Sequence, residues 1–146
     1  MAETEARPVP AANRYVPSQP FWDGAREGRL MLQMCLDTGR FQHPPHPLSV
    51  YTGSQNVAWR QVSGLGTTYA VTVVRVPGPG LAGRLPLAVA TVELAEGVRL
   101  IANIIDSPPE RVRIGAAVEL AWDHLGDGTP YPAFRTLAQG AADAQD

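Results

Sequence analysis

Two short turns of this chain have the form of a metal site. The first reads Cys35-Leu-Asp-Thr-Gly39 and the second Ser49-Val-Tyr-Thr-Gly53, with a proline-rich hinge at 44–47 between them. Paired turns of this kind, each closed by a glycine, resemble the knuckles that hold a tetrahedral zinc ion. Their four ligand positions hold one thiol and three hydroxyls: Cys35, Thr38, Ser49 and Thr52. The turns therefore keep the shape of a metal site without three of its usual donors.

A substitute ligand set is also present in this stretch. His43 follows Cys35 by eight residues, His46 follows three later, and Asp37 offers a fourth donor. The prolines beside the histidines stiffen the loop and would turn both imidazoles away from Cys35. We therefore predict no metal here either; stoichiometric zinc in protein purified without a His tag would contradict this.

Two groups of residues have the types needed for catalysis. Cys35 with His43 as its base is one version, but no third orienting residue or oxyanion loop accompanies them. Asp123, His124 and Asp127 are capable of acid–base chemistry. They lie at a strand end beside a glycine turn, where aspartate commonly serves turn geometry. We predict no catalytic residue in the chain.

Aromatic and arginine side chains form a candidate binding face. Trp59, Tyr69 and Phe134 would stack bases, while Arg75 and Arg99 would hold phosphates, as in single-strand nucleic-acid binders. The acidic charge balance argues against nucleic acid. The same arginines would equally meet the phosphates of coenzyme A or acids on a partner, and some of the aromatic residues would be core. The predicted binding residues are Trp59, Arg75, Arg99 and Phe134.

The segment from Pro77 to Pro86 has the glycines of a phosphate loop. It matches no known order of such a loop and contains no lysine. We predict a barrel loop that contacts a partner.

Composition narrows the class of protein. The 146 residues carry a formal net charge of -2, and all 12 basic residues are arginine. Lysine-based Schiff-base chemistry is therefore excluded, and no basic field attracts nucleic acid or an anionic membrane. A single cysteine excludes an internal disulfide and suits a reducing compartment. The acidic start resembles no signal peptide and no apolar run is long enough to span a membrane, so we expect a soluble cytoplasmic protein.

A short helix is predicted before the knuckles. Ser18 is a typical N-cap, Pro20 suits the first turn, and Gly28 would stop the helix after about residue 27. Strands at 29–33 and 41–43 would flank the first knuckle. So few apolar residues cannot form a core of their own, so this unit needs a metal or a neighbour.

From Trp59 onward the pattern is all-β. Its first strand is apolar on both faces, and glycines at 64 and 66 allow it to bend around a closed core. A one-turn connector at 107–111 follows the third strand. These features predict a mainly β fold with a five-stranded Greek-key barrel of OB type, the alternative being a sandwich. The strands are predicted at 67–76, 87–94, 98–105, 117–122 and 132–136.

A family resemblance extends over residues 15–136. Its residues are Pro20-Phe-Trp-Asp-Gly24, Glu27-Gly-Arg-Leu30, Gln33-Met-Cys35, Gly39-Arg-Phe41, Trp59, Val62-Ser-Gly-Leu-Gly-Thr67, Thr72-Val73, Glu96-Gly97, Ile114-Gly115 and Pro132-Ala-Phe134. Single motifs are weak, but their order is specific. In this order the chain resembles the acyl-CoA-associated zinc-ribbon plus OB-fold family catalogued as domain of unknown function thirty-five.

The resemblance implies an accessory, non-catalytic subunit. Members of the family associate with thiolase-fold enzymes and with hydratases that act on acyl-CoA, and some serve retro-aldol cleavage of steroid side chains. We therefore expect a hetero-oligomer with a thiolase-like partner and acyl-CoA as a ligand of the complex. The alternatives are a free-standing acyl-CoA binding module and, last, a single-stranded nucleic-acid binder.

The chain departs from the family pattern at its metal ligands. That pattern requires cysteine at positions 35, 38, 49 and 52, and only Cys35 remains. Hydroxyls do not replace thiolates in a structural zinc site, so we predict a rubredoxin-like ribbon without zinc. The retained shape suggests that the ribbon is a docking or packing surface. The predicted organisation is an extended arm at 1–17, helix and ribbon at 18–58, barrel at 59–137 and a disordered tail at 138–146.

Overall fold

The computed structural model of the chain describes residues 18–76, 78 and 82–137. The predicted arm at 1–17 and tail at 138–146 lie outside these residues. Helix α1 spans Gln19–Arg26, and the strands are β1 Met31–Cys35, β2 Phe41–Gln42, β3 Val57–Gln61, β4 Leu65–Val74, β5 Leu87–Leu94, β6 Arg99–Ile104, β7 Ala117–His124 and β8 Pro130–Thr136. Within the described ranges, no helix is long and apolar enough to cross a membrane.

Helix α1 lies within one residue of the predicted range, although Ser18 makes no side-chain capping hydrogen bond to it. A proline lies in its first turn, and Gly28, just past its end, adopts a φ of 73° that favours glycine. The helix packs on β1 and β8. Gly24 makes this approach possible, because a Cβ there would lie 2.4 Å from Cγ of Met31.

Strands β1, β2 and β3 form an antiparallel sheet in the order β2-β1-β3. Because β3 pairs with β1 along its whole length, from Met31 opposite Gln61 to Cys35 opposite Val57, Trp59 lies in this ribbon sheet. The boundary expected between residues 58 and 59 therefore falls inside a strand. The first ribbon strand also lies two residues later than expected, at 31–35.

The remaining five strands close into a barrel in the order β4-β5-β6-β8-β7, which confirms the predicted OB-type fold. Strand β4 begins at Leu65, two residues earlier than predicted, because Leu65 and Gly66 already pair with β7. A register shift between Thr68 and Ala70 marks the bend of this strand. A Cβ at Gly66 would lie 2.7 Å from the carbonyl oxygen of Glu93, so only glycine fits there.

The ribbon and the barrel share one hydrophobic core. Leu30 and Leu32, before and within β1, are 1% and 0% exposed and belong to the same cluster as the barrel residues. Burying two leucines in this way contributes several kcal/mol of apolar transfer free energy, about 1.5–3 kcal/mol for each side chain. The ribbon is thus anchored by packing on the barrel.

Candidate functional site: the paired knuckles around Cys35

The two knuckles have the same backbone geometry. In the first knuckle, residues 35–40, Gly39 N donates to Cys35 O at 2.8 Å. In the second knuckle, residues 49–54, Gly53 N donates to Ser49 O at 2.9 Å. Both glycines adopt a φ of 72°, a left-handed conformation that favours glycine. The ribbon backbone is therefore preformed in both halves.

Cys35 is fully buried between the knuckles, with 0% exposure. The hydroxyls of Ser49 and Thr38, with the backbone N–H groups of Thr38 and Asp37, hydrogen-bond its sulfur and lower the pKa of Cys35 from 9.0 to about 7. Burial acts in the opposite direction and does not outweigh them. Two of the three hydroxyl side chains at the ligand positions thus hydrogen-bond the thiol.

The third hydroxyl position, Thr52, is directed to a carboxylate. Asp37 Oδ2 accepts hydrogen bonds from Thr52 Oγ1 at 2.9 Å and Ser54 Oγ at 2.5 Å, and Oδ1 accepts one from Asn56 Nδ2 at 2.8 Å. These donors, Asn56 first, lower the pKa of Asp37 below its ordinary value. Asp37 therefore ties the first knuckle to the second knuckle and to the start of β3.

His43, just before the hinge, and His46, within it, both contact partners other than Cys35. The ring of His43 stacks on Phe21, with ring centroids 6.1 Å apart, and burial lowers its pKa, which keeps the imidazole neutral. Nδ1 of His46 lies 3.1 Å from both the N and the O of Leu48. Across the described residues, no group of three or more His, Cys, Asp or Glu side chains is placed to hold a metal ion. One thiol and three hydroxyls do not match the donor set of a structural zinc site.

A buried glutamine pair, which no motif in the sequence indicates, positions the hinge. Gln33 and Gln42 are 4% and 3% exposed. Gln42 Nε2 donates to Gln33 Oε1 at 2.9 Å, and the same oxygen accepts from His46 N at 2.8 Å. Gln42 Oε1 accepts from Val50 N at 2.9 Å, which fixes the second knuckle. The only signal in the sequence is an amide side chain on each of two short strands.

Asp123, an acid–base candidate at the end of β7, is the acceptor of a cluster of hydrogen bonds. Asp123 Oδ2 accepts from Arg84 Nη2 at 2.6 Å, Tyr131 OH at 2.7 Å and Asn103 Nδ2 at 3.3 Å. Burial raises the pKa of Asp123, but the hydrogen bonds from Tyr131 and Arg84 outweigh it and hold the pKa below its usual value. An anionic carboxylate with this many donors is a poor general base.

The predicted binding residues do not share one face. Phe134 is 0% exposed and belongs to the hydrophobic core, so its side chain does not lie on a ligand face as predicted. Trp59 is half-buried in the ribbon sheet. Arg75 pairs with Glu110 and follows the last residue of β4, which lies opposite Leu87 at the start of β5. Arg99 pairs with Glu93, near the other end of β5. At about 3.3 Å per residue, these two ends of β5 are about 20 Å apart.

Apolar side chains extend outward from both knuckles. Leu36 on the first knuckle is 42% exposed, and Val50 and Tyr51 on the second are 61% and 37% exposed. Large apolar groups at a turn tip cost free energy in water and often mark a contact surface.

Comparison with known proteins matches both halves of the chain. A family model described as the ChsH2 rubredoxin-like zinc ribbon domain matches residues 22–48, and one described as the ChsH2 C-terminal OB-fold domain matches residues 59–123. A solved chain titled Ltp2-ChsH2(DUF35) aldolase superposes with a TM-score of 0.76 at 32% identity, covering 88% of this chain and 98% of that one.

Curated relatives give the same picture. The chain is 31% identical over 100 residues to a DUF35 domain-containing scaffold protein of Pyrococcus furiosus, covering 68% of this chain and 74% of the relative. It is 34% identical over 112 residues, 76% of its length, to the alpha subunit of 3-oxo-4,17-pregnadiene-20-carboxyl-CoA hydratase of Mycobacterium tuberculosis. The chain spans 40% or less of the hydratase alpha subunits it matches. From this fold and these matches, the chain belongs to the DUF35 family of zinc-ribbon and OB-fold proteins.

Proposed function

We propose that this chain is a non-catalytic accessory subunit that binds a thiolase-like enzyme acting on acyl-CoA, and that the side chains of the reaction belong to that partner. One observation carries the proposal. The chain is similar, along 88% of its own length and 98% of the other's, to the solved chain described as Ltp2-ChsH2(DUF35) aldolase. The relative named as a scaffold protein supports the same type of role.

The substrate class follows from the names of the relatives. The similar hydratase subunit is named for a steroid carboxyl-CoA ester. Steroid or other lipid side chains carried as CoA esters are therefore the substrates we propose for the complex. The buried thiol of Cys35 and the hydrogen-bonded carboxylate of Asp123 fit a chain that supplies structure and leaves the chemistry to its partner.

The proposal includes a ribbon that folds without zinc. The residues at the four ligand positions take part in hydrogen bonds to Cys35 and Asp37 that join the two knuckles. Leu30 and Leu32 of the ribbon pack against the apolar residues of the barrel. In the proposed function the ribbon is a preformed surface for binding the partner enzyme.

Co-expression with a thiolase-like protein of the same source tests the function. We expect a stoichiometric complex on size-exclusion chromatography with light scattering. Cleavage or thiolysis of a steroid side-chain CoA ester should require both proteins and stay absent from the isolated chain. Full activity of this chain alone, or no association between the two proteins, would refute the proposal.

A further inference from the structure

Two surface grooves of this chain meet at the end of the β5–β6 hairpin. One, of about 640 Å³, runs along the outside of β4 and β5 past Leu65 and Tyr69. The other, of about 460 Å³, lies between the proline hinge with the second knuckle and the hairpin. Both are lined by Glu93 and Gly97. The two grooves adjoin at these residues, and together they are called the trough below.

Arg99 of one groove stacks on Tyr69 of the other. The guanidinium carbon of Arg99 lies 3.7 Å from the centroid of the Tyr69 ring, and Arg99 Nε donates to Glu93 Oε2 at 3.1 Å. Glu93 lies directly opposite Arg99 in the β5–β6 ladder. Tyr69 is 53% exposed, so this stacked pair is presented to the outside.

A second pair of the same kind stands at the ribbon side. Arg40, the last residue of the first knuckle, lies over the ring of Tyr51 with its guanidinium carbon 4.1 Å from the centroid. The phenol of Tyr51 donates to the carbonyl of Phe41 and is thereby held in place. Among the residues that the structure describes, no carboxylate forms an ion pair with Arg40.

The surfaces beside these pairs are apolar. Val50 is 61% exposed and lines the ribbon side of the trough, while Leu65, 49% exposed, lines the barrel side. Ile101, 75% exposed, lies two residues along β6 from Arg99 and so on the same outer face. Exposed aliphatic side chains around paired tyrosines and arginines have the composition of an interface centre.

We propose that the trough docks an extended segment of the thiolase-like partner, with a carboxylate of that segment on Arg40 at the Tyr51 edge of the trough and apolar side chains on Val50 and Leu65. The inference rests on the proposed function and specifies where its partner binds. Arg40 supplies a cation without a carboxylate among the described residues, so an acidic group on the partner complements it. Glu93 lines both grooves and would repel a polyanion, so a single carboxylate fits better than a nucleic acid.

Affinity measurements with the full chain and the co-purified thiolase-like protein test this assignment. Arg40→Glu and Val50→Asp should each raise the Kd about tenfold or more, because each places a negative charge against the docked segment. Arg40→Lys, which keeps the charge, should retain most of the affinity. Arg111→Glu is the matched control, since Arg111 is exposed beside Glu110 at the far end of β5. The salt dependence of the Kd should weaken in Arg40→Glu.

The outcomes separate the two proposals. If the wild-type chain fails to bind the partner, both the function and the trough assignment fall. If the wild type binds and the two trough variants, folded by circular dichroism, bind equally well, only the trough assignment falls. A change in the oligomeric state of the isolated chain, with partner affinity unchanged, would assign the trough to a second copy and overturn the proposal.

Discussion

The carboxylate of Asp37 accepts a hydrogen bond of 2.9 Å from the hydroxyl of Thr52, the residue at the fourth ligand position of the paired knuckles. In a zinc ribbon the metal would join this position to Cys35. Here two sets of hydrogen bonds take the place of a single metal ion. The hydroxyls of Ser49 and Thr38 hydrogen-bond the thiol of Cys35, while the hydroxyl of Thr52 donates to Asp37. Two polar contacts thus connect the knuckles, one from Ser49 to Cys35 and one from Thr52 to Asp37.

Replacing Asp37 should loosen this connection. The carboxylate of Asp37 accepts hydrogen bonds from three donors, and Asp37→Asn removes its charge and one of its acceptor oxygens. We therefore expect a lower Tm at pH 7. The pKa of Asp37 is depressed in the folded chain, so its contribution is present above the ordinary value of 3.8 and is lost as the pH falls through the folded value. The difference in Tm between wild type and variant should therefore shrink in acid. Asp23→Asn, at an exposed position of α1, is the control, and an equal loss there would contradict the role of Asp37.

Zinc should be absent from the wild type and recoverable by substitution. The knuckle backbones are intact, so Thr38→Cys, Ser49→Cys and Thr52→Cys together present four thiols in a ribbon geometry. We expect one zinc per chain in this triple variant by plasma mass spectrometry, and a Tm that falls on chelation. The wild type, purified without a His tag, should contain no stoichiometric zinc and keep its Tm in chelator. Stoichiometric zinc in the wild type would contradict the metal-free ribbon.

The thiol of Cys35 should give the chain a pH-dependent stability. Its folded pKa of about 7 lies below the ordinary value of 9.0, so folding favours the thiolate. The contribution is fully present above pH 9.0 and is lost as the pH falls through about 7. The Tm difference between wild type and Cys35→Ala should therefore widen from pH 6 to pH 9. A difference that stays constant over this range would show that Cys35 acts only as an apolar side chain.

Phe134 should act in the core and not in ligand binding. It is 0% exposed, so Phe134→Ala should lower the free energy of unfolding by about 3–5 kcal/mol in urea titrations. Ile114, 71% exposed, is the control, and Ile114→Ala should change it by less than about 0.5 kcal/mol. Equal, small effects in both variants would contradict the core position of Phe134.

The parts of the fold that the sequence predicted are those encoded by local chemistry. Gly39 and Gly53 mark the knuckle turns, and Gly97, with a φ of 90°, marks the β5–β6 hairpin. The second barrel strand, predicted from Leu87 to Leu94, matches β5 along its whole length, and buried and half-buried residues alternate in it from Ala88 onward. Each of these signals lies within a few residues of the structure it specifies, so the element order could be predicted without knowledge of the tertiary contacts.

The parts that were missed depend on residues far apart in the chain. The Gln33–Gln42 pair is formed only when β1 and β2 align, and the Arg84–Asp123 contact joins residues 39 positions apart. Phe134 reads equally well as a stacking platform or as core until the barrel closes around it. A sequence pattern states the type of each side chain, and only the closed barrel decides which of them reach the surface.

Asp123 should prove structural when it is tested against catalysis. Asp123→Asn removes the charge that pairs with half-buried Arg84 and one of the two carboxylate oxygens that accept hydrogen bonds. We therefore expect a loss of roughly 1–3 kcal/mol in the free energy of unfolding. The carboxylate already accepts hydrogen bonds from Tyr131, Arg84 and Asn103, so turnover by the assembled complex should be unchanged below the variant's Tm. Tyr131→Phe removes one donor and should cost less stability, again without a kinetic effect. A large fall in kcat for Asp123→Asn in a fully folded complex, with a shifted pH profile, would instead make Asp123 a proton-transfer group.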